Sequence, residues 1–469
     1  FAEIEGGSYG TLAGRAGVSG GAQDFDYALS IAGARSEGFS SYGYRIPRIT
    51  RLLTRPLERD GFDRLGLMSR FAFRPFEGVE IEAGLTHATT RTEFDNNAAD
   101  APNKGWAGTT SGYVKGTYDA FGGRLRNTLT GYAFVTDREY DYDGYRIGYI
   151  GRRTGVSYQG DLGLDAFGKL TFGGQIEKET YKSADAFSAP VTAERLTRSA
   201  FVLHQLPVGE RFDLSLGGRI DDVENADRFA TWRATAAYRI VEWGAKLRAS
   251  VGTGAKAPAL DQMFNPFYGN ADLKPERSLG YDFGVDQALF GGRANLSVTF
   301  FHNRYSRLIQ YAASGCPPTQ PFGCYFNVGR AETRGVEAAA DAVLVEGVLS
   351  ARATYTWLKA RDSDTGLPLL RRPEHSGVVS LRWTPIDRLT IEPSLRLVGS
   401  RFSGRDFVTG APSDKLKPYA RLDVRADYQL HKHLNLYVRG ENLTNARYEE
   451  VYNYGTTGAA VYAGLRATW

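Results

Sequence analysis

Polar and apolar residues alternate along this chain from one end to the other, and no helical period competes with that alternation. At the C-terminus Ala459, Val461, Ala463, Leu465, Ala467 and Trp469 share one side of an extended chain. Ala460, Tyr462, Gly464, Arg466 and Thr468 share the other. The same pattern runs through Leu422, Val424, Ala426, Tyr428 and Leu430, which alternate with Arg421, Asp423, Arg425, Asp427 and Gln429. It recurs over 349–357 and 389–397. A strand needs about 9–11 residues to cross a bilayer, and these segments are long enough. An apolar face and a face charged with both signs suit a barrel with a greasy exterior and a wet interior.

The connections sort into two kinds. Short turns are expected at Gly20–Gln23, Pro75–Gly78, Phe121–Gly123, Asp165–Gly168, Val208–Arg211, Val241–Gly244, Phe290–Gly292, Val345–Gly347, Pro385–Arg388 and His431–His433. Between them lie connections rich in Gly, Asp, Asn, Pro and Tyr, mostly longer. They fall near Gly6–Tyr9 and near 39–60, 95–110, 141–150, 184–195, 223–229, 264–277, 313–322, 362–371, 403–418 and 453–457. Ten short and eleven mostly longer connections join 22 strands, so the predicted fold is all-β, a 22-stranded antiparallel transmembrane β-barrel. That width is the one found in plugged transporters, wider than the 16–18 strands of open porins. A soluble propeller is the competing fold, but no repeat of about 40–50 residues is present.

Composition alone points elsewhere. With 42% hydrophobic and 23% charged residues, the 469-residue chain has a soluble profile, as expected when every second residue of a barrel faces water. Its 27 Tyr and 26 Phe could furnish aromatic girdles. No run of about 18 uncharged apolar residues exists, which excludes a helical span. A net charge of +4 favours no particular partner. No signal peptide is visible, and Phe1 opens in a strand, so the chain is expected to begin part-way through a larger protein.

Three segments resemble the TonB-dependent outer-membrane receptor family. Gly269-Asn270-Ala271-Asp272-Leu273-Lys274-Pro275-Glu276-Arg277-Ser278 is similar to its G-N-x-x-L-x-P-E-x-S element. Asn327-Val328-Gly329-Arg330-Ala331, followed by Arg334-Gly335-Val336-Glu337, is similar to its N-x-G-x-A element and the x-G-x-E after it. Glu441-Asn442-Leu443-Thr444-Asn445 with Tyr448 is similar to the penultimate-strand box, and Trp469 to the closing aromatic. The resemblance covers residues 1–469 as a single barrel domain. Within the family the chain looks most like the cobalamin transporters, through Lys256-Ala257-Pro258, Phe267-Tyr268-Gly269-Asn270, Pro368-Leu369-Leu370-Arg371-Arg372 and Tyr448–Gly455. It departs from them at Ala459, where Arg is common. The resemblance implies an N-terminal plug domain, missing from this chain, that engages TonB.

Candidate chemistry is sparse. Cys316 and Cys324 lie in one long loop and read as a disulfide that holds the loop tip; no His or third Cys is near enough to suggest zinc. Asp141 and Asp143, joined by Asp95 and Asp100, could supply hard oxygen ligands to calcium, which orders external loops in the cobalamin transporters this chain resembles. The bland reading is solvated acids. Tyr140, Tyr142, Tyr145, Tyr149, Phe264, Phe267 and Tyr268 crowd the expected mouth and would suit a bulky, partly apolar ligand; girdle or loop packing is the alternative. The six His residues form no nucleophile or metal motif, and phosphate loops are absent, so no enzymatic activity is expected.

The expectation is a monomeric outer-membrane transport receptor of a Gram-negative bacterium, energised through TonB, with outer-membrane lipid around it and no nucleic-acid partner. Its expected ligand is cobalamin, with a ferric siderophore as the alternative. A passive porin or an outer-membrane hydrolase ranks below both. No cofactor is required, and calcium in the external loops is the candidate ion.

Overall fold

The computed structural model describes the chain apart from residues 42–56, 96–99, 186–188, 313–315, 318–319, 321–322 and 407–410. Parts of the expected connections 39–60, 95–110, 184–195, 313–322 and 403–418 lie outside the described residues. Twenty-two antiparallel strands form one closed sheet. The first strand, Ala2–Gly7, pairs with Thr11–Ala22 on one side and with the last strand, Ala460–Ala467, on the other. Closure leaves no row of unpaired N–H and C=O groups, the condition for placing a sheet in lipid. The seam is tight. A side chain at Gly7 would run into the backbone of Val461 and Tyr462, so only glycine fits there.

Strands neighbouring in sequence are neighbours in the barrel, with one interruption. Leu389–Val398 pairs with Tyr419–His431, and the chain between them makes a separate hairpin, Arg401–Arg405 with Pro412–Leu416. All ten expected short turns separate consecutive strands. At Phe121–Gly123, for instance, the chain turns between Asn103–Ala120 and Leu125–Tyr142.

The long side required two corrections, the smaller at 95–110, where Asn103–Ala120 is already strand. The expected loop over 141–150 does not exist as a loop. Leu125–Tyr142 and Tyr145–Gly163 pair to their ends and are joined only by Asp143 and Gly144, at φ 54° and 94°. Both central residues at positive φ match a two-residue primed hairpin turn, and Asp-Gly is a preferred sequence for it. The acidic, tyrosine-rich composition suggested a loop, but the tyrosines keep strand alternation through it. Strands also run longer than alternation indicated, up to 22 residues in Cys324–Val345, and so project beyond the apolar band on the long-loop side.

Alternation sorts the side chains as expected. Val18 opposes Leu29, and Ile31 opposes Leu67. These four, with Leu12, Leu65 and Leu85, are large, apolar and exposed on the outer wall. The inner wall is polar and internally paired. Buried Glu82 accepts from Arg70 Nε at 2.9 Å and Tyr113 Oη at 2.7 Å, with Lys115 Nζ at 3.0 Å. Glu3 meets Arg15 at 2.7 Å and Arg466 at 2.6 Å, the latter across the seam. The Arg421/Asp423 and Arg425/Asp427 ladder closes on itself at 2.7 Å in each pair.

Candidate functional site

At the long-loop end, aromatic side chains gather around one carboxylate. Tyr140 and Tyr142 lie two apart on one strand and therefore on one face. Their rings are 6.2 Å apart and stacked, and Phe94 meets them edge-on at 6.2 and 5.6 Å. Tyr149, on the partner strand, is 6.4 Å from Tyr140 and stacks at 6.4 Å on Tyr181. A second group joins Tyr268, Tyr311 and Tyr325 at centroid distances of 5.7–6.2 Å.

Asp261 links the two groups. Its Oδ1 accepts from Tyr181 Oη at 2.6 Å and from Asn265 Nδ2 at 3.1 Å. Burial, reinforced by the Asp261 charge and by Tyr149, pushes the Tyr268 phenol above its ordinary range. Asp261 sits in the single-turn helix Leu260–Phe264, and the loop that carries this helix is anchored firmly. Pro258, Leu260, Met263, Leu273 and Pro275 are buried. Arg195, itself buried, donates to Pro258 O at 2.6 Å and to Glu179 at 3.0 Å, fastening the loop to the barrel wall. The result is a preformed wall of phenol rings with one anion among them. Such a wall can stack on a flat or bulky ligand and hydrogen-bond to its polar rim.

Of the expected aromatic residues, Tyr140, Tyr142, Tyr149 and Tyr268 come together here. Tyr145 follows the tight turn beside Asp185, Phe264 ends the helix, and Phe267 lies just beyond it. Phe94, Tyr181, Asp261, Tyr311 and Tyr325 were not expected. The only signal for Tyr181 was its alternation parity. Its meeting with Asp261 depends on strand register, which the sequence does not display.

The family-like segments prove to be loop staples. Asn270 Nδ2 donates to Tyr325 O at 2.8 Å. Asn327 accepts from Lys274 N at 2.6 Å and donates to Lys274 O at 2.8 Å. Asn442, fully buried at φ 48°, donates to Ala446 O at 3.0 Å and Thr457 O at 2.9 Å and accepts from Ala446 N at 2.9 Å. Each such element fixes a long loop and contributes no reactive group.

The four acids expected to share calcium do not form one group. Asp141 accepts from Gly144 N at 2.7 Å and from Arg146 Nε at 3.2 Å, which commits it to the hairpin turn. Asp143 is a turn residue at positive φ. Asp95 and Asp100 instead join Glu58, each with one oxygen within 4.8 Å of the others. Burial, then the nearby Asp60 and Asp100 charges, push the Asp95 carboxyl up to about 6, against a backbone hydrogen bond from Ala101. Three hard oxygens at that spacing fit a calcium ion. Cys316 and Cys324 are joined by a disulfide with Cα atoms 5.8 Å apart.

A family model described as "TonB dependent receptor-like, beta-barrel" matches residues 6–443. Among solved structures, the chain is similar to the ferric enterobactin receptor PfeA of Pseudomonas aeruginosa, at 16% identity and TM-score 0.83. That match covers all of this chain and 80% of the other. The siderophore receptor PirA of Acinetobacter baumannii gives 16% identity and TM-score 0.81, covering 100% and 80%. The copper transporter OprC gives 14% and 0.83, covering 100% and 79%. At such identities the likeness is one of fold. The family match, together with the closed barrel and its stapled loops, shows that this chain belongs to the TonB-dependent receptors, through their β-barrel domain.

Proposed function

We propose that the protein is an outer-membrane receptor of a Gram-negative bacterium that takes up a ferric siderophore, energised through TonB. The observation that carries this reading is the phenol wall around Asp261 at the external mouth. Its stacked rings suit a bulky chelate with an apolar body and polar rim. Solved neighbours named as siderophore receptors favour this ligand class over cobalamin, toward which the sequence leaned. The barrel supplies shape and charge, and a plug of the kind the family resemblance implies would move under the pull of TonB. Calcium held by Glu58, Asp95 and Asp100 would fasten neighbouring mouth loops.

The deciding measurement is binding and uptake by the full-length receptor in its own cells, with ferric siderophores set against cyanocobalamin. Submicromolar binding and TonB-dependent iron uptake for at least one siderophore are expected. Saturable cobalamin uptake with no siderophore bound would overturn the reading.

A further inference from the structure

Four adjacent strands carry an unusual outer face: Glu276–Leu289, Ala294–Ala312, Cys324–Val345 and Leu349–Asp362. Paired residues share a face, so the register fixes which side chains point outward. Phe283 opposes Phe300, which opposes Val336, which opposes Trp357, and Phe283 and Phe300 are exposed. This is the upper edge of the apolar band. One pleat further toward the long loops, the row reads Tyr281, His302, Arg334 and Lys359. The next row reads Leu279, Arg304, Glu332 and Arg361, with Arg277 beyond it.

Arg334 and Lys359 stand directly opposite each other, an arrangement that destabilises a sheet unless an anion screens it. Among the described residues, Arg277, Arg304, Arg334 and Lys359 have no carboxylate within ion-pair distance. The single acid in these rows, Glu332, lies 3.2 Å from His302 Nε2. Elsewhere on the outer wall, above the band, single cations such as Arg35, Arg91, Arg152 and Arg198 also stand without an ion pair among the described residues, but none of these four has another cation directly opposite it, and others are matched. Lys104 meets Glu93 at 3.8 Å, Arg146 meets Asp141 at 3.2 Å and Lys178 meets Glu194 at 2.7 Å.

The geometry points to a binding site for a phosphorylated lipid of the outer leaflet, whose acyl chains lie along Phe283, Phe300 and Trp357 while its phosphate monoesters sit among Arg304, Arg334 and Lys359. Height decides for a lipid over a soluble anion: the cations begin one residue pair above the apolar edge, at headgroup level. The site rests on the barrel's placement in the outer membrane and is independent of which ligand is transported.

The test is native mass spectrometry of the detergent-purified full-length protein with bis-phosphorylated lipid A and with the same lipid stripped of phosphate. Wild type is expected to retain the phosphorylated form preferentially. In R334Q/K359Q, the loss of two cations should weaken that retention about thirtyfold. R304Q, a single change further out, should give a smaller loss in the same direction. Heat-modifiable gel migration establishes that each variant is folded. Equal retention of the dephosphorylated lipid, unchanged retention by folded R334Q/K359Q, or full competition by millimolar inorganic phosphate would each overturn the lipid site.

Discussion

At the scale of single residues, the polar groups of the barrel wall pair with one another, and those of the loops satisfy buried backbone. Asn442 shows this most clearly. Its amide closes bonds to Ala446 and Thr457 at a φ that few side chains adopt. Asn442→Ala loses those bonds and keeps the strained backbone, so a destabilisation of about 2–4 kcal/mol is expected. Denaturant unfolding in micelles would measure it, and a change below half a kcal/mol would contradict the staple role. Asp95 gives a pH dependence. Because its folded carboxyl is raised to about 6, the folded loop holds a proton that the unfolded chain releases nearer 4. The stability this contributes is present at low pH and is lost as pH rises through about 6. Calcium competes with that proton, so calcium affinity is expected to fall as pH drops from 7 to 5, as isothermal titration would show. Affinity that stays flat across this range would remove Asp95 from the ligand set. The sequence offered Asp95 and Asp100 as candidates but not Glu58, which lies far away in the chain and reaches them only through loop packing.

At the scale of elements, the tyrosine wall is a property of paired strands. Tyr140 and Tyr149 sit on the two arms of one hairpin, and Tyr181 on the strand beyond. Tyr140→Ala and Tyr149→Ala are each expected to weaken siderophore binding by roughly 1 kcal/mol, about fivefold, through lost stacking. Fluorescence quenching titration would read this, and an unchanged Kd in both variants would move the binding surface elsewhere. Hairpin turns were the most legible elements, because Gly, Asp, Asn and Pro at fixed positions impose turn geometry locally. The same chemistry at Asp143-Gly144 was overlooked because its acidic, aromatic flanks resembled a loop. The short helix Leu260–Phe264 has only a weak local signature, Asp261 in its first turn and Gln262 Oε1 accepting from Ala259 N at 2.9 Å, and is held by tertiary burial of Leu260 and Met263.

At the scale of the whole molecule, closure is the decisive event. The first and last strands meet over Ala2–Gly7, with Glu3–Arg466 and Glu5–Arg439 tying the wall around the seam. Gly7→Val would place a side chain inside the Val461–Tyr462 backbone and is expected to block closure. Loss of heat-modifiable migration during refolding into detergent would show it. A normally closed Gly7→Val barrel would mean that the seam can shift its register.

The order of strands, their number and their two faces were determined by the sequence alone. They follow from a period of two and from turn residues, both of which act over a few positions. Which residues face each other was decided only by the tertiary structure. Tyr181 meets Asp261 across 80 positions of chain, and Arg334 meets Lys359 with no acid between them. Register within a hairpin is set by its turn and by bulges such as the one at Val343/Val345 between Cys324–Val345 and Leu349–Asp362, while the meeting of the first and last strands depends on all 22 strands at once. Alternation by itself records neither the bulge nor the closure, so the site and the lipid-facing charge became visible only in the folded barrel.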